Sequence, residues 1–107
     1  MDLDLQKLEE NARRASTLLK AMSNQHRLMI LCQISNTEKS VGELEEIIGL
    51  SQSALSQHLA RLRRDNLVQT RRDAQTIYYS LKGEEAFTII DTLYNLYCAQ
   101  GESPACA

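Results

Sequence analysis

The chain has no apolar run approaching the roughly 18 residues of a membrane-spanning helix. Its first ten residues, MDLDLQKLEE, are acidic, unlike the start of a secretory signal. Together these absences predict a cytoplasmic protein with no membrane partner. Three cysteines, Cys32, Cys98 and Cys106, form no C-x-x-C pair and no cysteine/histidine cluster with zinc spacing. In a reducing cytoplasm their default state is the free thiol. Internal repeats, linkers and low-complexity stretches are missing as well, so the 107 residues are expected to form one domain. That length lies near the lower end of what buries a self-sufficient core, and help from a second subunit is expected.

What is present is the composition of an ordinary globular protein, with 43% apolar and 24% charged residues. The net charge of −2 argues against a nucleic-acid partner only until its distribution is considered. Between residues 51 and 80 stand Arg61, Arg63, Arg64, Arg71 and Arg72 against Asp65 and Asp73, a local +3 that leaves −5 on the remainder. A basic segment on an acidic body steers one face toward phosphate while the rest repels it.

Leu5, Leu8, Ala12, Ala15, Leu19 and Met22 recur at alternating steps of three and four, which predicts a first helix over 3–22 with a narrow packing seam. Ser23-Asn24 offers a cap for a second helix over 25–35, apolar around most of its circumference and therefore central. A polar break, Asn36 to Lys39, follows. Ser40 with Glu43 makes a capping box for a short helix whose inner face is Leu44, Ile47 and Ile48, closed by Gly49. Ser51 caps a further helix over 52–65 with Leu55, Leu59 and Leu62 inward. Two β-prone runs, LVQTRR and TIYYSL, then flank Asp73-Ala74-Gln75 and predict a hairpin whose loop lacks the glycine tight turns favour. The helical period resumes after Lys82-Gly83, with Phe87, Ile90, Tyr94 and Tyr97 on one stripe and Ile89, Leu93 and Leu96 beside it. Residues 1–100 are expected to be the folded domain and 101–107, with Gly101 and Pro104, a frayed tail.

A short helix, a glycine turn and a second helix with small polar residues at its start are the parts of a helix-turn-helix. The second helix would enter the major groove, where Gln pairs with adenine and Ser reaches donors or acceptors. Arg71 and Arg72 on the hairpin would contact phosphate or the neighbouring minor groove.

The run VGELEEIIGLSQSALSQHLARLRRDNLVQTRRDAQTIYYSL, with the upstream LLKAMSNQHRLMILCQIS, resembles the ArsR/SmtB family of dimeric bacterial repressors over about residues 8–98. The resemblance implies a mainly α fold with a β-hairpin wing, a winged helix-turn-helix of order α-α-α-α-β-β-α. It implies a homodimer through the first and last helices, bound to double-stranded operator DNA. Ser51, Gln52, Ser53, Ser56, Gln57, His58 and Arg61 would face DNA, with Arg71 and Arg72 on the wing. Many such repressors sense metals, and neither of their sites carries over. One needs cysteines where this chain has Gly42-Glu43-Leu44-Glu45, and the other needs histidines where no histidine follows His58. No metal or cofactor is expected, and His26 and His58 are taken as a helix-start polar residue and a DNA-facing residue.

By itself Cys32 reads as a small buried hydrophobe, and a helix C-terminus at Cys98 disfavours a thiolate. The positions of both match a dithiol subgroup of the family, that of the regulators BigR, SqrR and HlyU. That resemblance implies a redox switch: persulfide, polysulfide or another thiol oxidant, as inducer, links Cys32 to Cys98 by a disulfide or polysulfide bridge and releases the operator. Cys106 is expected to be an inert tail thiol. Within the same fold, an anti-silencing activator and a DNA binder without a sensor remain open. A small thiol enzyme is disfavoured by the apolar neighbours of both cysteines.

Overall fold

The computed structural model describes residues 4–97; Cys98, Cys106 and the expected tail lie outside the described residues. Among the described residues five helices and three short strands follow one another. Helix α1 (Leu5–Met22) starts on Asp4, whose carboxylate accepts from the Lys7 N–H at 2.8 Å. Helix α2 (Gln25–Ile34) starts on Asn24, whose side-chain oxygen accepts from the His26 and Arg27 N–H groups. The cap is thus Asn24 alone, and Ser23 closes α1. As expected of a central helix, α2 buries Ile30, Leu31 and Ile34.

The polar break contains a feature the sequence pattern does not announce. Strand β1 (Lys39–Ser40) is two residues long and pairs antiparallel with Tyr79 and Tyr78 of β3 (Thr76–Leu81). Strand β2 (Val68–Asp73) covers the other edge of β3, so the sheet order is β1-β3-β2. A run of two has no period to read, and only its tertiary partner makes it a strand.

Helix α3 (Val41–Ile48) carries the full capping box. Ser40 Oγ accepts from the Glu43 N–H at 3.2 Å, and Glu43 Oε1 accepts from the Ser40 N–H at 3.0 Å. Its inner stripe is Val41, Leu44 and Ile48, a spacing of three and four, whereas Ile47 is 49% exposed and does not belong to the inner face. Gly49 ends the helix at φ 85°, the left-handed conformation that glycine adopts without steric cost. Helix α4 (Gln52–Arg64) buries Leu55, Leu59 and Leu62, as its spacing predicts. Each such leucine contributes about 1.5–3 kcal/mol of burial, so α4 is fixed by its inner face and presents the outer one rigidly.

Helix α5 (Glu84–Tyr97) divides its apolar stripe. Ala86 and Ile90 enter the core, while Phe87, Tyr94, Leu96 and Tyr97 are exposed. The α1 seam divides likewise: Met22 is buried, yet Leu5, Leu8 and Leu19 are exposed, and it is their neighbours Leu18 and Ala21 that pack on the core.

Candidate nucleic-acid interface and thiol cavity

The outer face of α4 exposes Gln52, Ser53, Ser56 and Gln57. Ser51 is also exposed, but its Oγ accepts from the Ala54 N–H at 3.2 Å, so its first duty is to start the helix. His58 stands apart from this group. It is half-buried at the edge of the inner face, its ring centroid 5.9 Å from that of His26 on α2. Burial, with the charge of Arg27 and the neighbouring His26, holds its imidazole below the ordinary histidine value.

Arg61 reaches Asp65 at 3.1 Å, and Arg64 reaches the same carboxylate at 3.5 Å from the other side. Beside them is Arg27, a residue that sequence reasoning assigned no role. Its Nε–H donates to the Ala21 carbonyl at 2.6 Å and its Nη2 to that of Lys20 at 3.3 Å, tying the end of α1 to the start of α2. Burial, then the charge of Arg61, lowers its pKa, with Asp65 opposing. A cation placed just past a helix C-terminus is the signal that finds it.

On the wing, strand register sets Arg71 opposite Tyr78 and Arg72 opposite Ile77. The loop is Ala74-Gln75, Asp73 being a strand residue paired with Thr76. Ala74 takes φ 56° where glycine would be favoured, the left-handed region that a β-carbon penalises. The two arginines differ. Arg72 is exposed, whereas Arg71 is gripped by Glu38, its Nε–H within 3.1 Å of both carboxylate oxygens, with its guanidinium 4.8 Å from the Tyr78 ring centroid. Hydrogen bonding to each other raises Arg71 and lowers Glu38 from their usual values. No local signal in the sequence finds Glu38, because its partner is 33 residues away.

Cys32 is half-buried, and burial pushes its thiol pKa up. It opens onto a cavity of about 490 Å³ between α2 and α5. Asn36, Thr37 and Lys39 of the connection form one wall, and Phe87, Asp91 and Tyr94 of α5 form another. Among the described residues no three His, Cys, Asp or Glu side chains are grouped as metal ligands, and no helix is long and apolar enough to cross a membrane.

Residues 24–70 match the bacterial regulatory protein family arsR. The transcriptional activator HlyU of Vibrio cholerae is 54% identical over 96 residues, covering 90% of this chain and 89% of that one. The chain belongs to the ArsR family. The Escherichia coli regulator YgaV is 52% identical over 89% of this ArsR-family chain and 97% of its own length. Among solved structures, reduced HlyU from Vibrio cholerae superposes with a TM-score of 0.86 at 55% identity over 88% of this chain and 99% of that one. The transcriptional repressor BigR from Xylella fastidiosa superposes at 0.82 with 39% identity, covering 94% and 99%. The protein is therefore a winged helix-turn-helix DNA-binding transcriptional regulator of the ArsR family, in the HlyU and BigR branch. These relatives are regulators and not enzymes.

Proposed function

We propose that this regulator is a homodimeric cytoplasmic repressor that binds operator DNA when reduced and releases it when reactive sulfur species couple Cys32 to Cys98. Residues 1–100 act as the DNA-binding domain. The α1 and α5 faces join two copies so that the α4 helices enter successive major grooves about one turn of DNA apart. Ser51, Gln52, Ser53, Ser56 and Gln57 read bases, with His58 and Arg61 beside them, and Arg71 and Arg72 reach the backbone or minor groove.

The observation that carries the reading is the position of Cys32. Its half-buried thiol meets a cavity with α5 as one wall, and Cys98 follows Tyr94, a wall residue, by four positions in the sequence. A low-molecular-weight persulfide, R–S–SH, transfers its outer sulfur to Cys32, giving Cys32–S–SH and R–SH. The Cys98 thiolate then attacks the inner sulfur and expels hydrosulfide, which leaves a disulfide. When both cysteines are persulfidated first, the same displacement gives a trisulfide and hydrogen sulfide. In each case one sulfane sulfur is reduced to sulfide as the two thiols are oxidised, and in the trisulfide a second is kept in the bridge. A coupling of about 1–3 kcal/mol corresponds to roughly 5- to 150-fold weaker DNA binding.

Intact-mass spectrometry after glutathione persulfide treatment tests the switch, run with Cys32→Ser and Cys98→Ser variants and alongside binding to a duplex selected with the reduced protein. The expected product is a cross-linked mass that needs both cysteines and coincides with DNA release. Absence of such a product refutes the sensor.

A second reading is favoured by the HlyU relative, which is described as an activator. The same DNA contacts then displace a silencing protein. Deletion of the gene separates the two: target expression rises for a repressor and falls for an anti-silencing activator.

A further inference from the structure

Beside the outer face of α4 lies a shallow hollow lined by Arg27, Gln57, His58, Ala60, Arg61 and Arg64. We infer that this hollow is a seat for a backbone phosphate of duplex DNA, formed jointly by α2 and α4, and that Arg27 and Arg64 belong to the DNA-binding machinery. The inference rests on the reading of α4 as the recognition helix and gives that helix a second anchor, on the flank away from its base-reading start.

Three guanidinium groups face the hollow against one carboxylate, that of Asp65, which is 15% exposed and lies between Arg61 and Arg64. The surplus is cationic on a chain whose net charge is negative. Gln57, Arg61 and Arg64 follow the i, i+4, i+7 spacing of one helical face, so they line the hollow without any change of backbone. Gln57 also adjoins the exposed start of α4, which makes the hollow continuous with the groove-facing surface.

The fixed member is Arg27. The Ala21 and Lys20 carbonyls hold its Nε and Nη2 edge in place, so its orientation is set before any ligand arrives. A guanidinium fork donates to two oxygens of a tetrahedral phosphate at once, which a lysine point charge does not do. Arg64, with its side chain 68% exposed, lines the hollow at its solvent edge. Under this assignment Arg61 serves the backbone, while His58 lines the hollow half-buried, 5.9 Å from the His26 ring of α2. A phosphodiester of a duplex is the ligand, because the hollow is shallow and adjoins the exposed start of α4 through Gln57.

The test is fluorescence anisotropy of a labelled mixed-sequence duplex about two helical turns long, titrated across a salt series with wild type, Arg64→Gln, Arg61→Gln and the control Lys7→Gln. Each phosphate contact contributes about 0.9 to the slope of log affinity against log salt. Arg64→Gln and Arg61→Gln are each expected to flatten that slope, by at most about 0.9 per bound protomer because the arginines share one phosphate, and to weaken binding by a similar factor on every sequence. Lys7→Gln leaves the slope unchanged. If wild type binds and the arginine variants share the slope of Lys7→Gln, the phosphate seat is refuted and the recognition helix stands. If wild type does not bind the duplex at all, both are refuted.

Discussion

Leu19→Ala tests the proposed dimer with little disturbance to the protomer. Leu19 lies on α1 with 54% of its surface exposed, next to Leu18, which packs on the core. Alanine is the best helix former, so truncation does not weaken α1 itself. Fully burying a leucine contributes about 1.5–3 kcal/mol, and roughly half of that is still available at Leu19, on the order of 1–1.5 kcal/mol. A two-fold interface contains the position twice, so the loss is about 2–3 kcal/mol for the dimer. That converts to a dimer dissociation constant roughly 30- to 150-fold weaker, at about 1.4 kcal/mol per factor of ten. Sedimentation equilibrium over a dilution series measures it, and circular dichroism checks that helix content is kept. DNA affinity should fall in step, since half-sites are no longer bound as a pair. An unchanged dimer constant with intact helices would refute the assignment of the α1 seam to the subunit interface.

Four further outcomes are expected. Gly49→Ala adds a β-carbon that meets nothing within 4 Å, so its cost is the left-handed backbone alone, about 1–2 kcal/mol in urea denaturation, partly recovered by Gly49→Asn. Glu38→Gln releases Arg71 and should tighten duplex binding a few-fold at low salt, an advantage that disappears at high salt; equal affinity at low salt counts against the grip of Glu38 on the wing. Because burial holds the folded His58 below the unfolded value of about 6.5, the unfolded chain binds more protons there. Stability therefore falls as pH drops below about 6.5, and urea midpoints of His58→Gln should flatten that limb. In a Cys98→Ser, Cys106→Ser background, iodoacetamide should label Cys32 more slowly than it labels glutathione up to about pH 8.5 and beyond, since burial raises the folded thiol; equal rates at neutral pH would contradict this.

Much of the fold was legible because its signals are local. The Ser40/Glu43 box, Gly49 and the Ser51 cap lie within one turn of what they terminate, and the leucines of α4 repeat at the helical period. Exposure in the candidate site was legible where it coincides with those elements: Ser51, Gln52, Ser53, Ser56 and Gln57 are exposed because Leu55 and Leu59 face inward. What escaped depends on distant partners. Strand β1 exists only against β3, Glu38 matters only through Arg71, and His58 is half-buried beside His26 of another helix. Ile47 was misjudged because an eight-residue helix has room for one inner stripe, and Val41 had already begun it. Of the apolar residues of α1 and α5, Met22 and Ile90 enter the core while Leu5, Leu8, Leu19, Phe87, Tyr94, Leu96 and Tyr97 are exposed, and a helical period does not distinguish a residue that packs in the protomer from one that does not.

The two-residue strand β1 has a thermodynamic consequence. Lys39 belongs both to the wall of the Cys32 cavity and, through Tyr79, to the sheet that carries the wing. The chamber and the wing hairpin thus share a rung of backbone. Whatever factor modification of Cys32 takes from DNA affinity, bound DNA must take from the equilibrium for modifying Cys32, because linkage between two sites is reciprocal. Under the proposed switch, Cys32 on a DNA-bound copy is modified to a smaller extent at equilibrium than Cys32 on a free copy.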